Sequence, residues 1–152
     1  LLENLLGKGQ GSRLWPLRAD RKLAYNVNCR ATQMQEGGML EAYLETDTVK
    51  QEAAREALRA GLDDLGRNGT TEEELLHTKN AAKADFLRDN ETKAAKAGIL
   101  AFFEASGLGL DFFGALPSEI DALTLDEVNS YIREFLAPGK ALEVVIGPRP
   151  KG

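Results

Sequence analysis

A stretch of alternating apolar and polar residues is followed, after only a turn, by a second stretch of strand character. No other feature restricts the fold of this chain as much. Leu23, Tyr25, Val27, Cys29 and Ala31 share one face, with Asn26, Asn28 and Arg30 on the other. That is the period of a half-buried strand. Gln35-Glu-Gly-Gly38 supplies a turn and Met39 to Thr46 reads as a second strand. The pair is therefore predicted to form an antiparallel hairpin with a longish connection. Parallel strands would need a crossover helix between them, so a repeating βαβ alternation is ruled out.

Helical patterns surround the hairpin. Leu1-Leu-Glu-Asn-Leu-Leu6 resembles the last turns of a helix already under way, so the chain is expected to be part of a longer protein. Gly7 to Gly11 alternates three glycines, which neither helix nor strand favours. Ser12 is then placed to cap a helix from Arg13 to about Arg21, with Pro16 in the tolerant first turn. Asp47 is predicted to cap a helix over 48–65 with an apolar stripe of Ala54, Leu58, Leu62 and Leu65. Asn68-Gly69 stops it. Thr70-Thr-Glu-Glu-Glu74 starts the next with capping-box character, and that helix runs to around Arg88. A weak break at Asp89-Asn90 leads to a helix ending near Ser106, and a shorter one spans 111–122. Thr124-Leu-Asp-Glu127 caps the last, through Leu136, and Ala141 to Ile146 reads as a closing strand. The fold class is α+β, with helices packed on one face of a mostly antiparallel sheet. Three strands are few for so many helices, and further strands from an upstream segment would complete the sheet. All 152 residues fit a single, partial domain.

Composition narrows the functions. The net charge of −5 argues against a nucleic-acid surface, which needs clustered Lys and Arg. The most apolar stretch, Ala97 to Leu116, is interrupted by Glu104, Gly107, Gly109 and Asp111. It reads as a buried or interface-facing helix, and no membrane span is expected. Zinc hydrolysis needs three protein ligands and an open position, yet His77 is the single histidine. Glu74-Leu-Leu-His77 has a metal-compatible spacing, but acids in a first turn are favoured by the helix dipole anyway. A solvated helix face is preferred there. Cys29 alternates with strand core residues, so packing is preferred over a nucleophilic role.

The glycine loop fails both phosphate tests. It lacks the P-loop ending, and no strand precedes it as in a dinucleotide fingerprint. What remains is a backbone-exposing loop, able to receive a carbonyl or carboxylate or simply to connect two helices. Arg18 and Tyr25 then follow on two adjacent elements. As surface cation and strand-core aromatic they need no function. As a rigid cation and a phenol beside open amides, they suit a polypeptide carbonyl.

Leu5-Leu-Gly-Lys-Gly-Gln-Gly-Ser-Arg-Leu14, followed by Leu17-Arg18 and Leu23-Ala-Tyr25, resembles the insulinase/pitrilysin family of zinc peptidases, which includes the mitochondrial processing peptidases. The likeness continues in Glu45-Thr-Asp47, in Gly69-Thr-Thr-Glu-Glu-Glu-Leu75 with Lys79, in Leu123-Thr-Leu-Asp-Glu-Val128 and in Val144-Val-Ile-Gly-Pro148. These landmarks stand in family order over nearly the whole chain. One departure is Trp15-Pro16, where relatives commonly carry a plainer helical pair.

The resemblance implies the later part of the second homologous domain of a clamshell that closes on an unfolded polypeptide substrate. Zinc belongs to the complete enzyme and is held by the other domain, in cis or on a partner, through an inverted His-x-x-Glu-His motif. This segment is expected to bind no metal and to be inactive alone. The resemblance assigns catalytic roles to Arg18 and Tyr25: the Tyr25 hydroxyl donates to the developing oxyanion while Arg18 fixes nearby peptide carbonyls. Substrate contacts are assigned to the loop, at Gly7, Gly9, Gly11 and Ser12. The alternative is a non-catalytic structural or assembly subunit, like relatives that became core proteins of respiratory complexes. Apolar surface left by missing strands would favour homo-oligomers.

Overall fold

In a computed structural model of the chain, which describes residues 1–34, 37–137 and 141–148, the hairpin forms with its apolar residues in register. Strand β1 (Asn26–Met34) pairs antiparallel with β2 (Gly37–Glu45), setting Val27 opposite Leu44, Cys29 opposite Ala42 and Ala31 opposite Leu40. Because side chains alternate between faces, these pairs make one apolar side. Val27 and Cys29 are buried there, and Leu40, Ala42 and Leu44 pack against the same core. Gln35 and Glu36 of the expected turn lie outside the described residues.

Helices α1 (Leu2–Leu6) and α2 (Trp15–Ala19) precede the hairpin; a 3-10 turn (Thr48–Lys50) and α3 (Gln51–Asn68) follow it. Then come α4 (Glu72–Asp89), α5 (Lys93–Ala105), α6 (Phe112–Ala122) and α7 (Leu125–Phe135). Leu5 and Leu6 of α1, Leu14, Leu17 of α2, Ala57 and Leu65 of α3, Leu75 of α4 and Val128 and Ile132 of α7 join the buried strand residues in one core. The architecture is α+β, helices packed with an antiparallel sheet. No described helix is long and apolar enough to cross a membrane.

Local chemistry explains the helix boundaries. At Thr71 and at Thr124 the hydroxyl accepts from the backbone of Glu74 and Glu127, and each glutamate reaches back to its threonine N–H. Both capping boxes therefore form as the sequence predicts. Gly69 ends α3 with φ +70°, and a Cβ there would run into the Asn129 side chain of α7. That side chain is a bridge. Its Oδ1 accepts from the Thr70 N–H at 2.7 Å and its Nδ2 donates to the Thr70 carbonyl at 3.1 Å. Lys79 of α4 donates from Nζ to the carbonyls of Asp121 (3.0 Å) and Leu123 (2.5 Å), closing the C-terminal end of α6. At the hairpin's outer edge, the Glu3 carboxylate accepts from the Ala31 N–H at 2.6 Å.

Four expectations need correction. Helix α2 starts at Trp15 rather than Arg13, and Ser12 does not cap it. The amides of Arg13 and Leu14 donate instead to the Leu5 and Leu6 carbonyls of α1, at 2.9 and 2.8 Å. The Ser12 hydroxyl donates to the Gly9 carbonyl at 2.8 Å. Strand β1 begins at Asn26, not Leu23, because both Leu23 backbone groups are engaged outside the ladder: its N–H donates to Leu17 and its carbonyl accepts from the Thr46 hydroxyl. Asp47 occupies the first cap position but makes no side-chain cap bond. The expected closing strand is not a strand. Residues 141–146 have no ladder partner among the described residues, and Leu142 and Ile146 are 90% and 95% exposed. Glu143 pairs with Arg55 and Arg59 of α3, which lays this segment beside a helix where no backbone edge is on offer.

Candidate functional site

The loop after α1 is wound on itself. Both Gly7 N–H and Lys8 N–H donate to the Glu3 carbonyl, at 2.9 and 2.8 Å. Gly7 is buried where the loop meets β1, and a Cβ on it would lie 2.7 Å from the Asn28 carbonyl carbon and 2.8 Å from the Cys29 Cβ. Its glycine is required by close approach. Gly9 has φ +98°, a backbone state that glycine adopts without strain. Gly9 and Gly11 are exposed, with nothing within 4 Å of an added Cβ, whereas Ser12 is buried. Of the four loop residues, two thus face solvent and two hold the loop's shape.

Arg18 and Tyr25 stand on neighbouring pieces of chain. Helix α2 buries Leu17 and turns Arg18 outward, its guanidinium 5.2 Å from the Trp15 ring centroid. This is a cation–π contact. Tyr25 just precedes β1, and its N–H donates to the Glu45 carbonyl at 2.8 Å. The core-aromatic reading of Tyr25 is overturned, since the residue is 63% exposed. Its hydroxyl donates to Asp47 Oδ2 at 2.5 Å. That bond, and the carboxylate's charge, push the phenol's pKa up. Neither side chain bonds to the other; each is held by a partner of its own.

Sequence reasoning missed two residues here. Asp47 was read as a helix cap. Once the hairpin is drawn, however, its register brings the end of β2 beside Tyr25, and that was the available signal. Arg13 stands in the sequence only as a helix start and part of the family motif, with no role of its own. Its Nε and Nη2 donate to the two Glu74 oxygens at 2.8 Å each, Nη2 also donates to the Gly69 carbonyl, and Nη1 donates to Asp64. One guanidinium thus ties the loop to the junction of α3 and α4, a use that its rigid fork permits.

Hydrogen bonds from Arg13, above all, hold the Glu74 carboxyl at a pKa of about 2, below its ordinary 4.5. A lowered folded-state value stabilises the fold above the unfolded pKa and loses that contribution as pH falls through the folded one. The pair is partly solvated, so its screened contribution is on the order of 1 kcal/mol. Glu74→Gln should therefore melt below the native protein at pH 7, and the gap should close between about pH 4.5 and 2. Thermal unfolding followed by circular dichroism across that range checks it.

Among the described residues, the side chains do not fit a zinc site. His77 is exposed on α4, and Glu74, the other member of that spacing, is occupied by Arg13, Thr70 and Thr71. Cys29 is buried in the core cluster, and burial pushes its thiol up to about 12, in keeping with a packed side chain rather than a nucleophile. Among the described residues, no three of His, Cys, Asp and Glu are grouped to hold a metal ion.

Comparisons with known proteins agree with this domain. The chain is 28% identical over 149 residues to the uncharacterized zinc protease YmxG of Bacillus subtilis, covering 95% of this chain and 36% of that protein. It is 27% identical over 130 residues to the non-peptidase homolog YmxG of Helicobacter pylori, covering 85% of this chain and 30% of that one. The chain thus spans about a third of the length of these relatives. The crystal structure of a peptidase M16 inactive domain from Pseudomonas fluorescens superposes with a TM-score of 0.76 at 24% identity. It covers 87% of this chain and 32% of that one, and shows a shared fold. Residues 1–82, more than half of the chain and including the loop, Arg18, Tyr25 and the hairpin, match the family described as the peptidase M16 inactive domain, and the chain belongs to that family.

Proposed function

We propose that this domain is the substrate-binding half of a zinc metalloendopeptidase. Its zinc and hydrolytic chemistry would lie on a homologous domain, in the same chain or on a partner. One observation carries the reading: Tyr25, immediately before β1, is turned out to solvent with its hydroxyl held at the surface by Asp47. Membership of an inactive peptidase domain family, and a relative named a zinc protease, support it. Arg18 projects from the preceding helix and binds peptide carbonyls; the exposed amides around Gly9 and Gly11 contact the substrate main chain. Gly7 and Ser12 serve that contact by fixing the loop. Tyr25 donates to the oxygen that becomes negative as the scissile carbonyl is attacked, which lowers the barrier rather than tightening substrate binding.

A second reading has its own support. The Helicobacter pylori relative is named a non-peptidase homolog, so a structural role without turnover is the competitor. Tyr25→Phe in the complete protein separates the two. The peptidase reading expects kcat on an unstructured peptide to fall on the order of 100-fold with KM nearly unchanged. A complete protein with no turnover, and no His-x-x-Glu-His in the paired domain, would leave the structural reading standing.

A further inference from the structure

A phenol has one hydrogen to donate, and in this fold the Tyr25 hydrogen is already given to Asp47 at 2.5 Å. The acceptor is unusual for its position. Asp47 sits at the start of the Thr48–Lys50 turn with extended backbone (φ −69°, ψ 149°), where aspartate ordinarily accepts from the turn's own amides. It makes no such bond. The two lysines of this corner are engaged with backbone: the Lys50 ammonium donates to the Lys22 carbonyl at 2.9 Å, and the Lys22 ammonium donates to the Ala19 carbonyl. The carboxylate is thus left to the phenol, on an exposed corner fixed by the Tyr25 N–H to Glu45 bond and the Thr46 hydroxyl to Leu23 bond.

We infer that Asp47 is a positioning residue that makes Tyr25 selective for a charged oxygen. This rests on the proposed role of Tyr25 at the scissile carbonyl. A neutral amide carbonyl is a weaker acceptor than a carboxylate, since charge-assisted bonds are roughly twice as strong as neutral ones. A bound but unreacted peptide therefore leaves the phenol on Asp47. The oxyanion that forms during attack is a charged acceptor and takes the hydrogen bond. Tyr25 then contributes to the transition state and withholds itself from the ground state, the condition for raising kcat without lowering KM. The Asp47 carboxylate, being exposed, returns to water during the exchange.

The test uses Asp47→Asn, whose amide oxygen is a neutral acceptor no better than the substrate's own carbonyl. Tyrosinate absorbance against pH, taken as the difference between each protein and its Tyr25→Phe counterpart, isolates the Tyr25 phenol from Tyr43 and Tyr131. Its titration should move to lower pH in Asp47→Asn. With the complete protein and an unstructured peptide, KM should fall about 3- to 10-fold in Asp47→Asn as the released phenol binds the ground-state carbonyl. That change should vanish when Tyr25→Phe is added. An unmoved phenol titration overturns the contact. A moved titration with unchanged KM, while Tyr25→Phe still slows turnover, overturns the selectivity and leaves the peptidase reading intact. If Tyr25→Phe leaves turnover unchanged, the role of Tyr25 at the carbonyl fails, and the selectivity with it. Asp47 is exposed and carries no cap bond, so the variant should fold, which far-ultraviolet circular dichroism checks.

Discussion

Asn129→Ala is expected to lower the free energy of unfolding by about 3 kcal/mol, with a lower urea midpoint and an unchanged slope. The loss does not come from the asparagine's own burial, which is partial. It comes from Thr70, 4% exposed, whose N–H and carbonyl both bond to the Asn129 amide. A buried backbone group stripped of its partner costs about 1–3 kcal/mol, and alanine strips two at once. Asn129→Asp is a sharper control. It keeps an acceptor for the Thr70 N–H but turns a carboxylate oxygen toward the Thr70 carbonyl, so it should recover only part of the loss. Because the same bridge holds α7 to the junction of α3 and α4, the hydrogen-exchange protection of α7 should fall along with the stability.

Gly7→Val should cost 3 kcal/mol or more, and its measure is again the denaturation midpoint. The backbone of Gly7 is not in the left-handed region, with φ −143°, so the penalty is one of space. Any Cβ meets the main chain of β1 at Asn28 and Cys29, and valine adds two more carbons. Flexible side chains can step aside, whereas a paired strand cannot without lifting the hairpin from α1. Gly11→Ala, in the same loop with nothing around its Cβ, should change stability by less than about 0.5 kcal/mol. The contrast separates glycines that the fold needs from those available to a ligand.

Signals carried by a few adjacent residues were legible in the sequence. Thr71 with Glu74 and Thr124 with Glu127 close on themselves within one turn, so nothing distant can override them. Alternation through Val27, Cys29 and Ala31, a turn, and the strand-forming run from Met39 sufficed for the hairpin, because a half-buried strand has one register that buries its apolar side. Features satisfied from a distance were not legible. Ser12 looks like a cap, but the amides it would have served are taken by Leu5 and Leu6. Residues 141–146 have strand composition, yet a strand exists only where another backbone offers its edge. At the site, Arg18 and Tyr25 were marked by the family resemblance, since no spacing rule separates a working phenol from a core aromatic. Alternation even assigned Tyr25 to the wrong side, because the Leu23 backbone leaves the ladder two residues before it.

The Glu3 bond to the Ala31 N–H has a consequence for how copies of this chain meet. An open strand edge invites another strand, and hairpins with bare edges zip together into aggregates. Here an acidic side chain already occupies a docking point on β1. A neighbouring copy that approached this edge would have to evict a carboxylate and pair in its place, with its own Glu3 set against the same operation. The edge therefore carries a charged stopper supplied by α1, and Glu3→Gln or Glu3→Ala removes the charge that keeps like edges apart.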